Sequence, residues 1–297
     1  VALAAIVAAS TYSLFQASGL DLIRWAPRIV GGTPIAVGRP AATLGHANLL
    51  GVTSSAAAAL ALARAAAPGR GRWWYGCAAV LSGGAALVTL SRAAWLGLAA
   101  GVALVAVLRL RSGGRLHAPW RPIWVGVGLL TLVAAMLAVA GWGGMLVARL
   151  DDLLHPWGGS GAARIEIWRT ALGAWRARPW IGWGPDTCAS VFPLYQSADF
   201  WRREWGLVPF HAHSIYLQTL ATRGVLGLAS AAFWSVALLA AARQAWRRTP
   251  EERLRVTALL GMLAPLAVSG AFGALGMAGQ TLLVDGLKDR AEAYSQA

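Results

Sequence analysis

Long apolar runs separated by short polar connections make up most of the chain. A helix needs about 20 apolar residues to cross the hydrocarbon core of a bilayer, and by that measure seven runs are candidate transmembrane helices. They cover residues 1–18, 46–66, 73–90, 93–108, 123–147, 215–241 and 256–284. Pro265 and several glycines in the last run favour a kink or a break there. The pattern predicts an all-α fold, a polytopic bundle of transmembrane helices.

Three of the short connections are rich in arginine, which indicates the side of the membrane on which they lie. They contain Arg64, Arg70 and Arg72, then Arg109, Arg111, Arg115 and Arg121, and finally Arg243, Arg247, Arg248, Arg253 and Arg255. Positively charged connections stay in the cytoplasm, and counting spans between these three alternates the sides without conflict. The same count places residues 19–45, the Ser91-Arg92 turn and residues 149–216 on the outer side.

One long polar segment, residues 149–216, interrupts the apolar pattern. It is neither apolar enough to span a bilayer nor basic enough for a cytoplasmic loop, and it holds six of the twelve acidic residues. Residues 163–178 within it predict an amphipathic helix, since Ile165, Trp168 and Leu172 recur at helical spacing. The apolar side of this helix fits either the headgroup region of a membrane or the surface of the bundle. Both placements are open.

These features predict a single membrane domain, residues 1–297, with a large periplasmic loop, residues 149–213, inserted between transmembrane helices. The chain starts at Val1, already apolar, without methionine and without the basic start and cleavage site of a signal peptide. We therefore expect an N-terminally truncated fragment.

Composition supports an integral membrane protein over a nucleic-acid-binding one. Hydrophobic residues make up 57% and charged residues 13% of the chain, and the mean hydropathy is +0.55. A balance of 26 basic to 12 acidic residues would suggest nucleic acid in a soluble domain. Here the arginines stand between apolar runs, so we expect no nucleic acid partner. The two cysteines, Cys77 and Cys188, provide neither a disulfide framework nor a metal-binding CxxC pair.

Two arginines are candidates for binding an anion. Arg92 lies between two apolar runs, and an arginine at the centre of a membrane helix costs about 2.5 to 3.5 kcal/mol and is usually functional. The alternative is a tight outer turn, where its guanidinium would meet headgroup phosphates. Arg164 opens the predicted amphipathic helix. Because guanidinium groups bind phosphate oxygens bidentately, two arginines that converge at the outer surface would suit a diphosphate.

His211-Ala212-His213 ends the polar segment where the sixth span begins. A histidine with a pKa near 6.5 can take a proton from an attacking hydroxyl, an effect worth roughly 10² to 10⁴ in rate. A metal site is the alternative chemistry, but no carboxylate cluster stands at ligand spacing, so we expect neither metal nor cofactor. A purely structural role for the pair stays open. Asp186, after a Gly-Trp-Gly-Pro turn, could orient a sugar or a histidine, or only shape the turn.

Several short motifs follow one another in a specific order. They are residues 38–48 (GRPAATLGHAN), Ser91-Arg92, residues 164–168 (RIEIW), 179–184 (PWIGWG), 211–218 (HAHSIYLQ) and 223–227 (RGVLG). Each motif alone is loose, but the ordered set resembles the O-antigen ligase and O-antigen polymerase superfamily. The resemblance covers about residues 38–283. One departure is Ser214, where the family usually has asparagine after the second histidine.

The resemblance implies a metal-independent, membrane-embedded glycosyltransferase of the type C class. Such an enzyme moves a glycan from undecaprenyl diphosphate to a hydroxyl of a lipid or glycolipid acceptor, such as lipid A-core, with inversion of the anomeric centre. Carried over by position, Arg92 and Arg164 hold the diphosphate and His213 activates the acceptor. Arg39, His211 and Asp186 complete the candidate substrate-binding set. The implied location is the bacterial inner (plasma) membrane, with the active site facing the periplasm or the cell exterior.

Other functions remain compatible with the same sequence. An O-antigen polymerase and a protein O-oligosaccharyltransferase differ from the ligase only in the acceptor. From another class, a transporter or flippase of an anionic lipid would use Arg92 to line a pathway, and it would place polar groups near the bilayer midplane, often with an inverted repeat. No such repeat is visible in the sequence.

Overall fold

The structure is a computed structural model, and it describes residues 1–18, 28–30, 33–35, 39–67, 69, 71–112, 147, 151, 159–203, 209 and 211–272. The predicted span at 123–147, apart from its last residue, lies outside the described residues. So does the part of the seventh predicted span that follows residue 272.

The first half of the described chain forms four long helices and one short hairpin. In order these are helix α1 (Ala2–Ala17), strands β1 (Arg28–Val30) and β2 (Thr33–Ile35), a 3₁₀ turn (Ala42–Leu44), and helices α2 (Ala47–Ala65), α3 (Arg72–Val88) and α4 (Arg92–Arg111). The two strands are antiparallel, with Ile29 opposite Pro34. The first four predicted spans each coincide with a helix to within a few residues. The hairpin was not predicted.

The second half begins with the predicted loop helix and ends with two long apolar helices. These elements are α5 (Gly159–Ala177), α6 (Cys188–Val191), a 3₁₀ turn (Phe192–Leu194), α7 (Ala198–Arg203), α8 (Ile215–Trp246) and α9 (Pro250–Phe272). Helix α5 confirms the helix predicted at 163–178. Helix α9 is continuous through Pro265, so of the two expected alternatives, a kink or a break, the break does not occur at this residue.

Within the described residues, three helices are long and apolar enough to cross a membrane, namely α4, α8 and α9. Helix α8 also exposes a series of large apolar side chains, among them Phe233, Trp234, Val236 and Leu239. Water would disfavour such a surface, whereas lipid accommodates it. The protein is therefore an all-α, multi-pass membrane protein.

One compact unit comprises Val1–Pro156 and Ser235–Ser269, and small side chains hold its helices together. Along α4, Ala93, Gly97 and Gly101 are buried at intervals of four residues. A Cβ atom added to Gly101 would lie 2.7 Å from Cγ of Pro265 in α9 and 2.9 Å from Cβ of Ala59 in α2. Helices in membranes associate through such small residues because lipid provides no hydrophobic driving force.

Hydroxyl groups add hydrogen bonds between the same helices. Ser55 in α2 donates to the carbonyl of Ala94 in α4 at 3.0 Å, and Ser269 in α9 donates to the carbonyl of Ala93 at 2.8 Å. Ser10 in α1 pairs with Ser54 in α2 at 3.0 Å. All these serines are buried, so each bond satisfies a polar group that lipid could not.

The other compact unit comprises Trp157–Trp234 and Gly270–Ala297. Among the described residues of this unit, nine form a buried core: Ile167, Ala171, Ala174, Cys188, Val191, Phe192, Phe200, Ala212 and Ala221. Helix α5 faces this core with Ile167, Ala171 and Ala174, whereas Trp168 and Leu172 are only partly buried. The most buried face is thus one residue away from the apolar stripe read from the sequence.

Candidate active site

The His211-Ala212-His213 loop leads directly into α8. The two imidazole rings lie 4.2 Å apart between centroids, at an angle of 57°. His213 has φ +49°, a left-handed conformation that residues other than glycine seldom adopt. Such backbone strain costs about 1 to 3 kcal/mol and persists only where the surroundings fix the conformation. The structure therefore brings both predicted histidines together in one constrained loop.

The surroundings that fix this loop come from the first turn and a half of α8 and from α6. Gln218 accepts a hydrogen bond from the Ala212 N–H through Oε1 at 2.7 Å, and its Nε2 donates to Cys188 Sγ at 3.0 Å. Ser214 caps α8, because its hydroxyl accepts from the Leu217 N–H at 3.5 Å. Serine and asparagine are both preferred caps, so serine at this position preserves the cap.

Burial sets the protonation of two groups near the loop. Desolvation lowers the pKa of His211, and its Nε2 atom is buried without a hydrogen-bond partner. His211 is therefore neutral at pH 7. Burial raises the pKa of Cys188 to about 11, against the lowering effect of its bond with Gln218, and the charge of Asp186 raises it further. Cys188 is a protonated thiol with no nucleophilic character at neutral pH.

Arg164 lies in the same compact unit as the histidines, half-buried in α5. Its guanidinium donates to the carbonyl of Phe272, the last residue of α9, at 2.8 Å. One turn along α5, the ring of Trp168 lies 6.4 Å from the ring of Phe272. These contacts connect Arg164 and its helix to Phe272.

Asp186 also belongs to this unit and lies in the turn that follows α5. It is exposed and has φ +58°, which aspartate tolerates better than most residues. This geometry explains why a short polar residue follows Gly184-Pro185. The carboxylate also acts electrostatically on Cys188.

Arg92 and Arg39 belong to the other compact unit. Arg92 is the first residue of α4, half-buried, and follows a turn in which Leu90 has φ +50°. It therefore stands at a helix end, as in the turn alternative, and not inside a helix. Arg39 donates to the Thr89 carbonyl at 2.6 Å and to Asn48 Oδ1 at 3.0 Å. Arg39 thereby supports the turn that leads into Arg92.

A backbone clasp joins the segment after α5 to the first third of α8. Helix α8 is interrupted at Gly224, which has φ 66° and ψ −166°. The carbonyls of Ala221 and Thr222 would otherwise accept from Val225 and Leu226 within the helix. They accept instead from the N–H groups of Trp183 and Gly184, at 3.1 and 2.8 Å.

The two N–H groups released from the helix find partners in the same segment. Val225 donates to the Pro179 carbonyl at 2.8 Å and Leu226 to the Trp180 carbonyl at 3.1 Å. A Cβ atom on Gly224 would overlap the Trp180 carbonyl, and one on Gly182 would overlap the backbone of Thr222. The clasp thus requires glycine at both positions, for its conformation and for its size.

Three residues of this site were not predicted, namely Gln218, Gly182 and Gly224. Each lies in a motif that the sequence singled out, and the signal for the clasp was glycine in both 179–184 and 223–227. The signal for Gln218 was a polar residue four positions after the cap of an apolar helix. In the described part of the chain, no three His, Cys, Asp or Glu side chains gather as a metal site would require.

Comparison with known proteins identifies the family. The family model described as O-antigen ligase matches residues 77–232, more than half of the 297 residues. The match runs from within α3 to within α8 and includes the histidine loop and the clasp. No curated protein matches the chain. The family match indicates a membrane enzyme of ligase or polymerase type with lipid-linked glycan substrates. Together with the multi-pass helical fold, it shows that the chain belongs to the O-antigen ligase family.

Proposed function

We propose that this protein transfers an oligo- or polysaccharide from undecaprenyl diphosphate to the hydroxyl of a lipid or glycolipid acceptor, as an O-antigen ligase does. The observation that carries the proposal is the constrained pair of His211 and His213 in one compact unit with Arg164. The family supplies the substrate class, and this unit contains an imidazole pair and a guanidinium of the kinds that the reaction would use.

The donor already contains a good leaving group, so the enzyme needs chiefly to stabilise departing negative charge. Arg164 and Arg92 would bind the diphosphate, since charge-assisted bonds from guanidinium to phosphate are short and strong. The position of Arg92 at the start of α4 supports this role, because the first turn of a helix favours anions. Arg39 would help by holding the turn before Arg92.

His213 would act as the general base. The acceptor oxygen attacks the anomeric carbon opposite the diphosphate, the bond from that carbon to the diphosphate oxygen breaks, and the hydroxyl proton passes to His213. This direction of attack inverts the anomeric centre. Neutral His211, in ring contact with His213, adds no positive charge that would oppose the proton transfer. Asp186 and His211 would contact the bound sugars.

The proposed setting is the bacterial inner membrane, with the site facing the periplasm. Residues 149–213 would form the large periplasmic loop of a single membrane domain. The arginine-rich connections support this orientation through the positive-inside rule. No metal would take part, because two guanidinium groups and one imidazole provide all the charge and proton transfer that the step requires.

A transfer assay tests the proposal. Purified protein is incubated in detergent with an undecaprenyl diphosphate glycan and a lipid A-core acceptor, without nucleotide and with a chelator. We expect glycan attached to the acceptor and free undecaprenyl diphosphate as the second product. Glycan joined only to a second undecaprenyl-linked unit would instead identify a polymerase. The absence of product with every lipid or glycolipid acceptor would contradict the proposal.

A further inference from the structure

Gln218 occupies a central place among the contacts of the histidine loop. Its side-chain amide makes one bond on each side, to the Ala212 N–H and to Cys188 Sγ. Ala212 is fully buried between the two histidines, so its N–H group has no access to water. A buried N–H group requires a hydrogen-bond partner. In this loop the partner is a side chain that belongs to α8.

The Ala212 N–H fixes the direction of the amide, because this group can only donate. Oε1 therefore points towards Ala212, and Nε2 donates to the buried sulfur of Cys188. The backbone around Gln218 is also fixed, because its N–H donates to the Ser214 carbonyl at 2.8 Å in the first turn of α8. The loop, the start of α8 and the start of α6 therefore meet at one side chain.

We infer that Gln218 is a positioning residue, which holds the His211-Ala212-His213 loop in the conformation that the transfer reaction needs. Gln218 touches no reacting atom in this role. It acts through the Ala212 N–H, which belongs to the peptide bond between His211 and Ala212, and it stabilises the left-handed backbone of His213. This inference rests on the proposed function, since it assigns Gln218 to the catalytic step proposed for His213.

The size of the effect follows from the geometry of proton transfer. A displacement of about 1 Å in a catalytic group can reduce the rate on the order of 10²-fold. Loss of the Ala212 bond should therefore lower kcat by about 10- to 100-fold. The KM for the donor should stay within about twofold, because the diphosphate is bound by arginines that Gln218 does not contact in the described structure.

Three substitutions of Gln218 test separately whether the length and the polar groups of its side chain are needed. Gln218→Leu removes both bonds, and Gln218→Asn keeps the amide but is too short to join Ala212 and Cys188. Gln218→Glu keeps the length, so one oxygen accepts from Ala212 and the other accepts the proton of the Cys188 thiol. We expect low kcat for the first two variants and substantial recovery for the third. Gln244→Leu is the matched control, because Gln244 is an exposed residue of the same helix.

Cys188 provides an independent measurement if Gln218→Leu does not fold. Cys188→Ser keeps an acceptor for Nε2, whereas Cys188→Ala removes it. We expect a kcat close to that of the wild type for the serine variant and several-fold lower for the alanine variant. Each variant is first compared with Gln244→Leu by thermal unfolding in detergent, so that kcat is compared among folded proteins.

The inference is wrong if folded Gln218→Asn retains a kcat within about twofold of wild type, or if folded Gln218→Glu is as slow as the leucine variant. His213→Ala in the same assay distinguishes a failure of the role inferred for Gln218 from a failure of the reaction proposed for His213. An inactive His213→Ala together with a fully active Gln218→Asn would overturn only the role of Gln218. Full activity of His213→Ala would overturn the proposed role of His213, whereas the absence of product from the wild type with every acceptor would overturn the proposed function itself.

Discussion

The two compact units use glycine for different purposes. Around α4, Gly97 and Gly101 are helical residues whose small size lets α2 and α9 approach. In the unit that contains the histidines, Gly182 and Gly224 have positive φ angles and lie where two backbone segments of the chain cross. The first arrangement depends on volume. The second depends on backbone conformation as well, and it lies in the unit that contains His213 and Arg164.

This difference fits the tasks of the two regions. Helices in lipid gain stability from close contact of small side chains, and many combinations of small residues provide it. A reactive site needs a few groups in exact positions, and strained backbone near such groups is fixed by specific hydrogen bonds. We therefore expect substitutions in the clasp to affect activity and stability together, and substitutions at the α4 contact to affect mainly stability.

The largest effect is expected for Gly224→Ala. Alanine would combine an unfavourable left-handed backbone with an overlap against the Trp180 carbonyl, so the four clasp hydrogen bonds cannot all persist. We expect a loss of about 3 kcal/mol or more in the free energy of unfolding, and loss of glycan transfer. Thermal unfolding in detergent and the transfer assay measure the two effects.

Gly45→Ala is the control for a positive φ without an overlap. Gly45 has φ +68°, but its ψ is −7° whereas that of Gly224 is −166°, and a Cβ atom on Gly45 meets no atom within 4 Å. Its cost should be only about 1 to 2 kcal/mol, the penalty of the left-handed backbone alone. Equal losses for the two variants would show that the clasp contacts contribute nothing beyond backbone conformation.

The next effect concerns the contact of α4 with α2 and α9. Gly101→Ala would place a Cβ atom within 3 Å of Pro265 and Ala59, and such overpacking costs about 1 to 3 kcal/mol. We expect lower thermal stability in detergent, with the transfer rate per folded molecule unchanged.

Gly83→Ala in α3 provides the comparison, because a Cβ atom there meets nothing within 4 Å. Alanine is favoured over glycine in a helix by up to about 1 kcal/mol, so this variant should be as stable as wild type or more so. A destabilised Gly83→Ala, or a stable Gly101→Ala, would contradict the packing account.

The smallest effect is a dependence of stability on pH. Burial lowers the pKa of His211 below the ordinary value of 6.5, so the unfolded chain binds a proton at this residue more readily than the folded protein does. The contribution of His211 to the free energy of unfolding is thus fully present above pH 6.5, and it is lost as the pH falls through the lower pKa of the folded protein.

The pH dependence of thermal unfolding, measured for wild type and for His211→Phe, tests this contribution. The wild type should lose more stability than the variant as the pH is lowered from 7 to 5. Parallel curves for the two proteins would contradict the assignment.

The sequence predicted those parts of the fold that depend on local patterns. Apolar length located the helices at 1–18, 46–66, 73–90 and 93–108, and helical spacing located α5. The sequence did not predict the clasp, because the clasp pairs residues 179–184 with residues 221–226 through the backbone. Hydropathy carries no information about such pairing.

In the candidate site, too, the sequence predicted the features that depend on local patterns and missed those that depend on long-range packing. The motif HAHSIYLQ placed His211 and His213 side by side in one loop, which the structure confirms. The contacts of Gln218 with Cys188, 30 positions earlier, depend on how α6 packs and have no sequence signature. The roles of Arg92, Arg164 and His213 in transfer stay predictions until they are measured.

Turnover of His213→Ala and Arg164→Ala, set against Arg169→Ala, tests the central claim most directly. Arg169 is in the same helix as Arg164, but its side chain is 70% exposed and pairs with Glu166. The account predicts that purified His213→Ala and Arg164→Ala remain folded in detergent and transfer glycan at least about 100-fold more slowly than wild type, while Arg169→Ala transfers it at the wild-type rate. Wild-type turnover by His213→Ala or Arg164→Ala would contradict it.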